Sequence, residues 1–119
     1  MKKFLVVYEA PLTAVEQMAN ATPEQAKAGM DAWMSWAKKA GDAIVDLGAP
    51  LGNPVALGRA PLVDGGIKVV GYSILQADST EAMSALLREH PHGRVPNSSI
   101  QFFECLPLPT EVVKGNRAA

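Results

Sequence analysis

His90 and His92 stand two positions apart around Pro91 in the segment Arg88-Glu89-His90-Pro91-His92-Gly93, and they are the only histidines of the chain. Histidine is the one side chain whose unperturbed pKa lies between about 5 and 8, so proton or metal chemistry is sought here first. In extended backbone, residues two apart point to the same side. The pair can then converge as a general acid–base couple, or as two metal ligands completed by a carboxylate such as Glu9 or Glu104. Two histidines fall short of the three protein ligands usual in catalytic zinc sites, and no metal is assigned. The competing reading places His90 at a helix C-terminus, where the macrodipole favours a cation, and His92 in a solvated loop.

Four further side chains are candidates for ligand contact: Trp36, Tyr72, Arg59 and Arg94. Trp36 sits on the same helix as Trp33 but off its main apolar stripe, facing a pocket rim or a dimer seam. Tyr72, like Tyr8, lies in a strand and either offers its hydroxyl at the sheet face or is core. Arg59 and Arg94 fall on glycine- and proline-rich connections; they can grip an anionic substrate by bidentate pairing or simply be solvated. Cys105 has no basic neighbour in sequence to lower its pKa, which disfavours a nucleophilic role. Neither Gly65-Gly66 nor the stretch Gly48 to Gly52 has the spacing of a phosphate-cradling loop. No cofactor is expected.

The elements that position these residues are marked by periodicity and punctuation. Phe4 to Glu9 reads as a buried strand stopped by Ala10-Pro11. Residues 12 to 22 admit a short helix or a loop. Thr22-Pro23-Glu24-Gln25 is a capping-box start for a long helix, with Ala26, Met30, Trp33, Met34, Ala37, Ile44 and Leu47 on its apolar stripe and Gly48 and Pro50 as its end. Gly41 marks a bend in it or a close approach to the sheet. Residues 51 to 61, around Val55-Ala56-Leu57, read as an irregular edge strand. Asp64-Gly65-Gly66 turns into the longest strand, Ile67 to Ala77. Ser79 caps a second helix whose inner face is Met83, Leu86 and Leu87. Pro91 forces His90 out of helical geometry, and a last strand runs from Ile100 to Leu106.

Composition narrows the function classes. A chain of 119 residues is of single-domain size, here 1 to 109 with a polar tail over 110 to 119. Eleven basic and twelve acidic residues, scattered, give a net charge of -1 and no stripe able to neutralise phosphates, so nucleic acid is not an expected partner. The apolar run after Lys2-Lys3 is too short for a signal peptide, and no stretch is long enough to span a bilayer. With a single cysteine, a reducing cytoplasmic location is expected.

The order strand, helix, strand, strand, helix, strand predicts an α+β fold: a ferredoxin-like βαββαβ antiparallel sheet with both helices on one face. Because the strands are apolar at successive positions, both sheet faces call for burial, and a second subunit packed sheet to sheet supplies the cover. The chain resembles the YCII-related family of dimeric α+β barrel proteins over most of residues 1 to 108. The matching features are the opening Lys-Phe-Leu-Val-Val-Tyr strand, Asp46-Leu47-Gly48-Ala49-Pro50, Gly71-Tyr72-Ser73-Ile74, Asp78-Ser79 and the closing strand Ile100 to Pro107. The resemblance implies a homodimer that binds a small ligand between sheet and covering elements. Members of that family carry a histidine in the first helix, paired with an aspartate; this chain has Asp31-Ala32-Trp33 there and no histidine, so the role is not carried over. The expectation is a small cofactor-independent acid–base enzyme, of lyase or isomerase type, acting through His90 or His92 on a small organic molecule. The alternative is a noncatalytic ligand-binding or accessory module.

Overall fold

Strict alternation of inward apolar residues makes Lys2–Ala10 a strand, β1, with Phe4, Val6, Tyr8 and Ala10 buried. In the computed structural model, which describes residues 1–58 and 67–108, it occupies the middle of a four-stranded antiparallel sheet. The next segment is helical: Thr13 and Glu16 exchange side-chain and backbone hydrogen bonds of 3.1 and 3.0 Å at the start of α1, Ala14–Asn20. The same device opens α2, Pro23–Ala40, where the Thr22 hydroxyl accepts from the Gln25 amide and the Gln25 side chain accepts from the Thr22 amide.

The long helix is shorter than its apolar spacing predicts. Gly41 adopts φ +52°, donates its N–H back to the Ala37 carbonyl and ends α2. A single 3-10 turn, Gly41–Ala43, follows, and Ile44–Pro50 is strand β2. Ile44 and Leu47 therefore reach the core from the sheet and not from a helix. The expected edge strand over 51 to 61 is corrected accordingly: residues 51–58 form no strand, and Val55 and Leu57 are 86% and 97% exposed. Arg59, the Gly65-Gly66 turn and the tail 110–119 lie outside the described residues.

β2 pairs with β3, Lys68–Ala77, through a ladder broken by two register shifts. At the second, Gly48 has φ +85°, and a Cβ built there would collide with the Tyr72 carbonyl oxygen. Its amide donates to the Asp46 carboxylate at 2.9 Å. Ser79 caps α3, Thr80–Arg88, by accepting from the Ala82 amide. A 3-10 turn, Pro91–Arg94, leads to β4, Ser99–Glu104. The strand order β2-β3-β1-β4 is compatible with the ferredoxin-like arrangement.

One sheet face carries Phe4, Val6, Tyr8, Ser73 and Leu75, and against it pack Trp33 and Trp36 from α2 and Met83 and Leu87 from α3. Burial of each large apolar side chain there contributes on the order of 2 kcal/mol. The predicted α2 stripe is rotated: Trp33, Trp36, Ala37 and Ala40 face the core, while Met30 and Met34 are 62% and 51% exposed. Among the described residues no helix packs on the opposite sheet face, where Leu5 and Phe103 are exposed. There Leu5 is flanked by Ile74 of β3 and Phe103 of β4, and Val7 by Tyr72 and Gln101. Replacing Gly48 by alanine should cost about 2 kcal/mol or more, because the left-handed backbone and the Tyr72 carbonyl both oppose a Cβ; urea unfolding of the variant measures it, whereas Gly29→Ala, on the open surface of α2, should be neutral or stabilising.

Candidate functional site

Pro91 cannot continue α3 and disfavours helical geometry at the residue before it. His90 takes φ -68° and ψ 135°, which turns its ring inward and makes it the N-cap of the Pro91–Arg94 turn. Its Nδ1 accepts the His92 backbone N–H at 3.0 Å. His90 therefore caps the turn that follows it, as an acceptor, and does not act as a cation closing α3. The extended run expected through His92 is instead one 3-10 turn, yet both imidazoles are buried, His90 at 2% and His92 at 5% exposure. The His92 Nε2 lies 2.9 Å from the Glu9 carbonyl oxygen. A carbonyl can only accept, so Nε2 carries the proton. The Ser98 hydroxyl secures the same turn by donating to the His92 carbonyl at 2.8 Å.

The two rings converge on Tyr8. His90 stacks on the phenol with centroids 4.7 Å apart, and His92 meets it edge-on at 5.4 Å. Trp33 stands edge-on to both Tyr8, at 5.0 Å, and His90, at 4.3 Å; Trp36 closes on His90 at 4.4 Å. The Tyr8 hydroxyl donates to Ser73 Oγ at 2.9 Å, and Ser73 passes the chain on to the Leu47 carbonyl at 2.6 Å. Burial pushes the Tyr8 pKa up, and the Ser73 hydrogen bond offsets part of that.

His90 is caged by three aromatic rings. Burial, with electrostatic repulsion from neighbouring His92 as a second cause, pushes its pKa down to about 4. At neutral pH the ring is uncharged, and with Nδ1 accepting, its proton sits on Nε2. Among the described residues that Nε2 is buried without a hydrogen-bond partner, an arrangement that costs roughly 1–3 kcal/mol.

Trp36 joins this cage to a surface cleft of about 130 Å³. One wall is α2, with Ala32, Ser35, Trp36 and Lys39; the other is the end of α3 and its following turn, with Glu89, Pro91 and Arg94. The Trp36 indole N–H donates to the Leu86 carbonyl at 3.3 Å and ties the two walls together. Trp36 was expected off the buried stripe; it is core, with only its edge at the cleft. Of the six candidates, the cleft assembles Trp36 and Arg94. His90 and His92 lie behind it and do not line it. Tyr72 is on the opposite sheet face, its hydroxyl 3.4 Å from the Asp46 carboxylate. Lys39, Glu89 and Ser73 were not singled out by sequence reading, since lone polar residues carry no spacing signal. A second depression, of about 260 Å³, lies between α3 and β4 and is lined by Ser84, Leu87, Arg88, Ile100 and Phe102.

The carboxylates named as metal partners are occupied elsewhere. The Glu9 carboxylate accepts from Ser99 at 3.4 Å and Glu104 pairs with Lys2 at 3.4 Å. Among the described residues no group of three or more His, Cys, Asp and Glu side chains is placed to hold a metal, and no helix is long and apolar enough to cross a membrane. The chain matches no protein-family model and no curated protein.

The depressed His90 pKa has a defined consequence for stability. The unfolded chain takes up a proton as pH falls through about 6.5, the folded ring only near 4, so stability declines between those values and levels off below. The full decline is on the order of 3 kcal/mol. Denaturant titrations across that range should show it, and His90→Phe should flatten it. Ser73→Ala should cost about 1–3 kcal/mol by stranding the Tyr8 hydroxyl and the Leu47 carbonyl, read by urea unfolding.

Proposed function

We propose that this chain is a YCII-like small-ligand-binding protein that works as a cytoplasmic homodimer, with the ligand seated in the Trp36 cleft and the histidine–aromatic cage as its rigid floor. One observation carries the choice of binding over catalysis. Each imidazole has committed a ring nitrogen to the backbone, His90 to the His92 amide and His92 to the Glu9 carbonyl, and neither ring lines the cleft. A His90 whose pKa is about 4 is also far from the value near 7 that suits a general base. In this reading the histidines hold the wall of the site.

The acid–base reading keeps one specific support, the unpartnered Nε2 of His90. A neutral imidazole with its proton on that atom can donate to a substrate carbonyl, and lyase or isomerase chemistry of that kind needs no nucleotide cofactor. A fragment screen by ¹H–¹⁵N NMR separates the two. Binding predicts fragments that shift the Trp36 indole N–H and are recovered unaltered. A fragment converted by the wild type and not by His90→Gln would establish catalysis instead. A screen that leaves the indole and the Glu89 to Arg94 amides unmoved would sink both.

The second subunit is proposed from the open sheet face. Ile74, Leu5 and Phe103 form one apolar row across three strands, with Val7 and Tyr72 beside it, and a row of this kind gains by leaving water. Sedimentation should give a dimer at micromolar concentration and a monomer for Leu5→Glu. A monomeric wild type would remove the dimer from the proposal.

A further inference from the structure

Resting on the binding reading, we infer that the Trp36 cleft selects a small organic monocarboxylate carried on an apolar body about the size of one ring. The charge argument comes first. Lys39 from α2 and Arg94 from the turn after α3 line the same cleft from its two walls, opposed only by Glu89. The lining side chains therefore sum to one positive charge, in a chain whose net charge is -1. Among the described residues neither cation is held in an ion pair; the pairs formed are Lys2–Glu104 and Lys27–Asp31.

A helix C-terminus favours a lysine for its own sake, and Lys38 and Lys39 both occupy the last turn of α2. Arg94 arrives from a different element, the last position of a 3-10 turn of four residues, too short for a macrodipole of consequence. Its planar fork matches a carboxylate bidentately, with the Lys39 ammonium as a second, mobile point of attraction. A surplus of one charge suits a monoanion; a phosphate dianion would be left undercompensated beside Glu89.

Shape and polarity define the remainder of the ligand. The cleft, about 130 Å³, is close to the size of a cavity that takes a benzene molecule. Ala32, Trp36 and Pro91 supply the apolar part of its lining: the Trp36 indole has its only N–H engaged with the Leu86 carbonyl, and Pro91 has no donor. The exposed edge of Trp36 therefore offers apolar contact and no hydrogen bond, so the ligand's body is held by contact with Ala32, Trp36 and Pro91 and its orientation by the two cations.

The test uses the chain of 119 residues and two isosteric probes, benzoate and benzamide, followed through the Trp36 indole N–H. Benzoate should shift that resonance saturably, bind about tenfold more tightly than benzamide, and weaken at high salt. Arg94→Gln and Lys39→Gln, both at exposed positions, should each weaken benzoate about threefold or more, and Glu89→Gln should tighten it. Equal binding of the two probes, or indifference of benzoate to both cation variants, overturns the carboxylate assignment and leaves the binding reading standing. Silence of both probes at millimolar concentration also overturns it. The binding reading falls with it only when the broader fragment screen is silent too.

Discussion

A neutral imidazole pressed against the Tyr8 ring is the constraint on which the site depends. β1 delivers Tyr8, α2 delivers Trp33 and Trp36, and the turn after α3 delivers His90, so three elements distant in sequence meet within centroid distances of 4.3 to 5.0 Å. Burial disfavours charge on this imidazole, and among the described residues no ion pair is formed there to offset that cost. The Nδ1 contact to the His92 amide enforces the same condition, since a protonated Nδ1 cannot accept. The segment that reads as proton chemistry is built to keep one of its two histidines unprotonated.

Much of the fold is legible because its signals are local. Thr22 with Gln25, Ser79 before α3, and Pro91 after it act within three or four residues, and each operates as its chemistry dictates. β1 and β3 are legible from their apolar character. The region from Gly41 to Pro50 is not, because Ile44 and Leu47 continue the helical spacing of α2 by coincidence while reaching the core from β2. Gly41 was noticed as an interruption, but its left-handed conformation, which ends the helix, is a property of the folded backbone. The same misplaced period set Met30 and Met34 inside and Trp36 outside. Trp33, Trp36, Ala37 and Ala40 fit the helical step equally well, and only the partner surface decides between the two faces.

The site is legible in part. The spacing of His90 and His92 around a proline does bring them together, although through a 3-10 turn in place of extended chain. Arg94 and Trp36 do share a cleft. Ser73 carries a buried hydroxyl that accepts from Tyr8 and donates to Leu47, and its placement on the inner face follows from alternation along β3; its importance depends on a cross-strand partner that no linear spacing reveals. Lys39 and Glu89 gain meaning only from the packing of α2 against the end of α3.

The broken ladder between β2 and β3 also shapes one edge of the sheet. β2 is an edge of the sheet, and an uninterrupted edge is an invitation for foreign strands to add on and stack without limit. The register shifts on either side of Asp46 and the left-handed Gly48 put kinks in that margin, so its outward amides do not form a flat template. A glycine that shapes one bulge thereby makes the β2 margin a poorer template for strand addition than a straight edge.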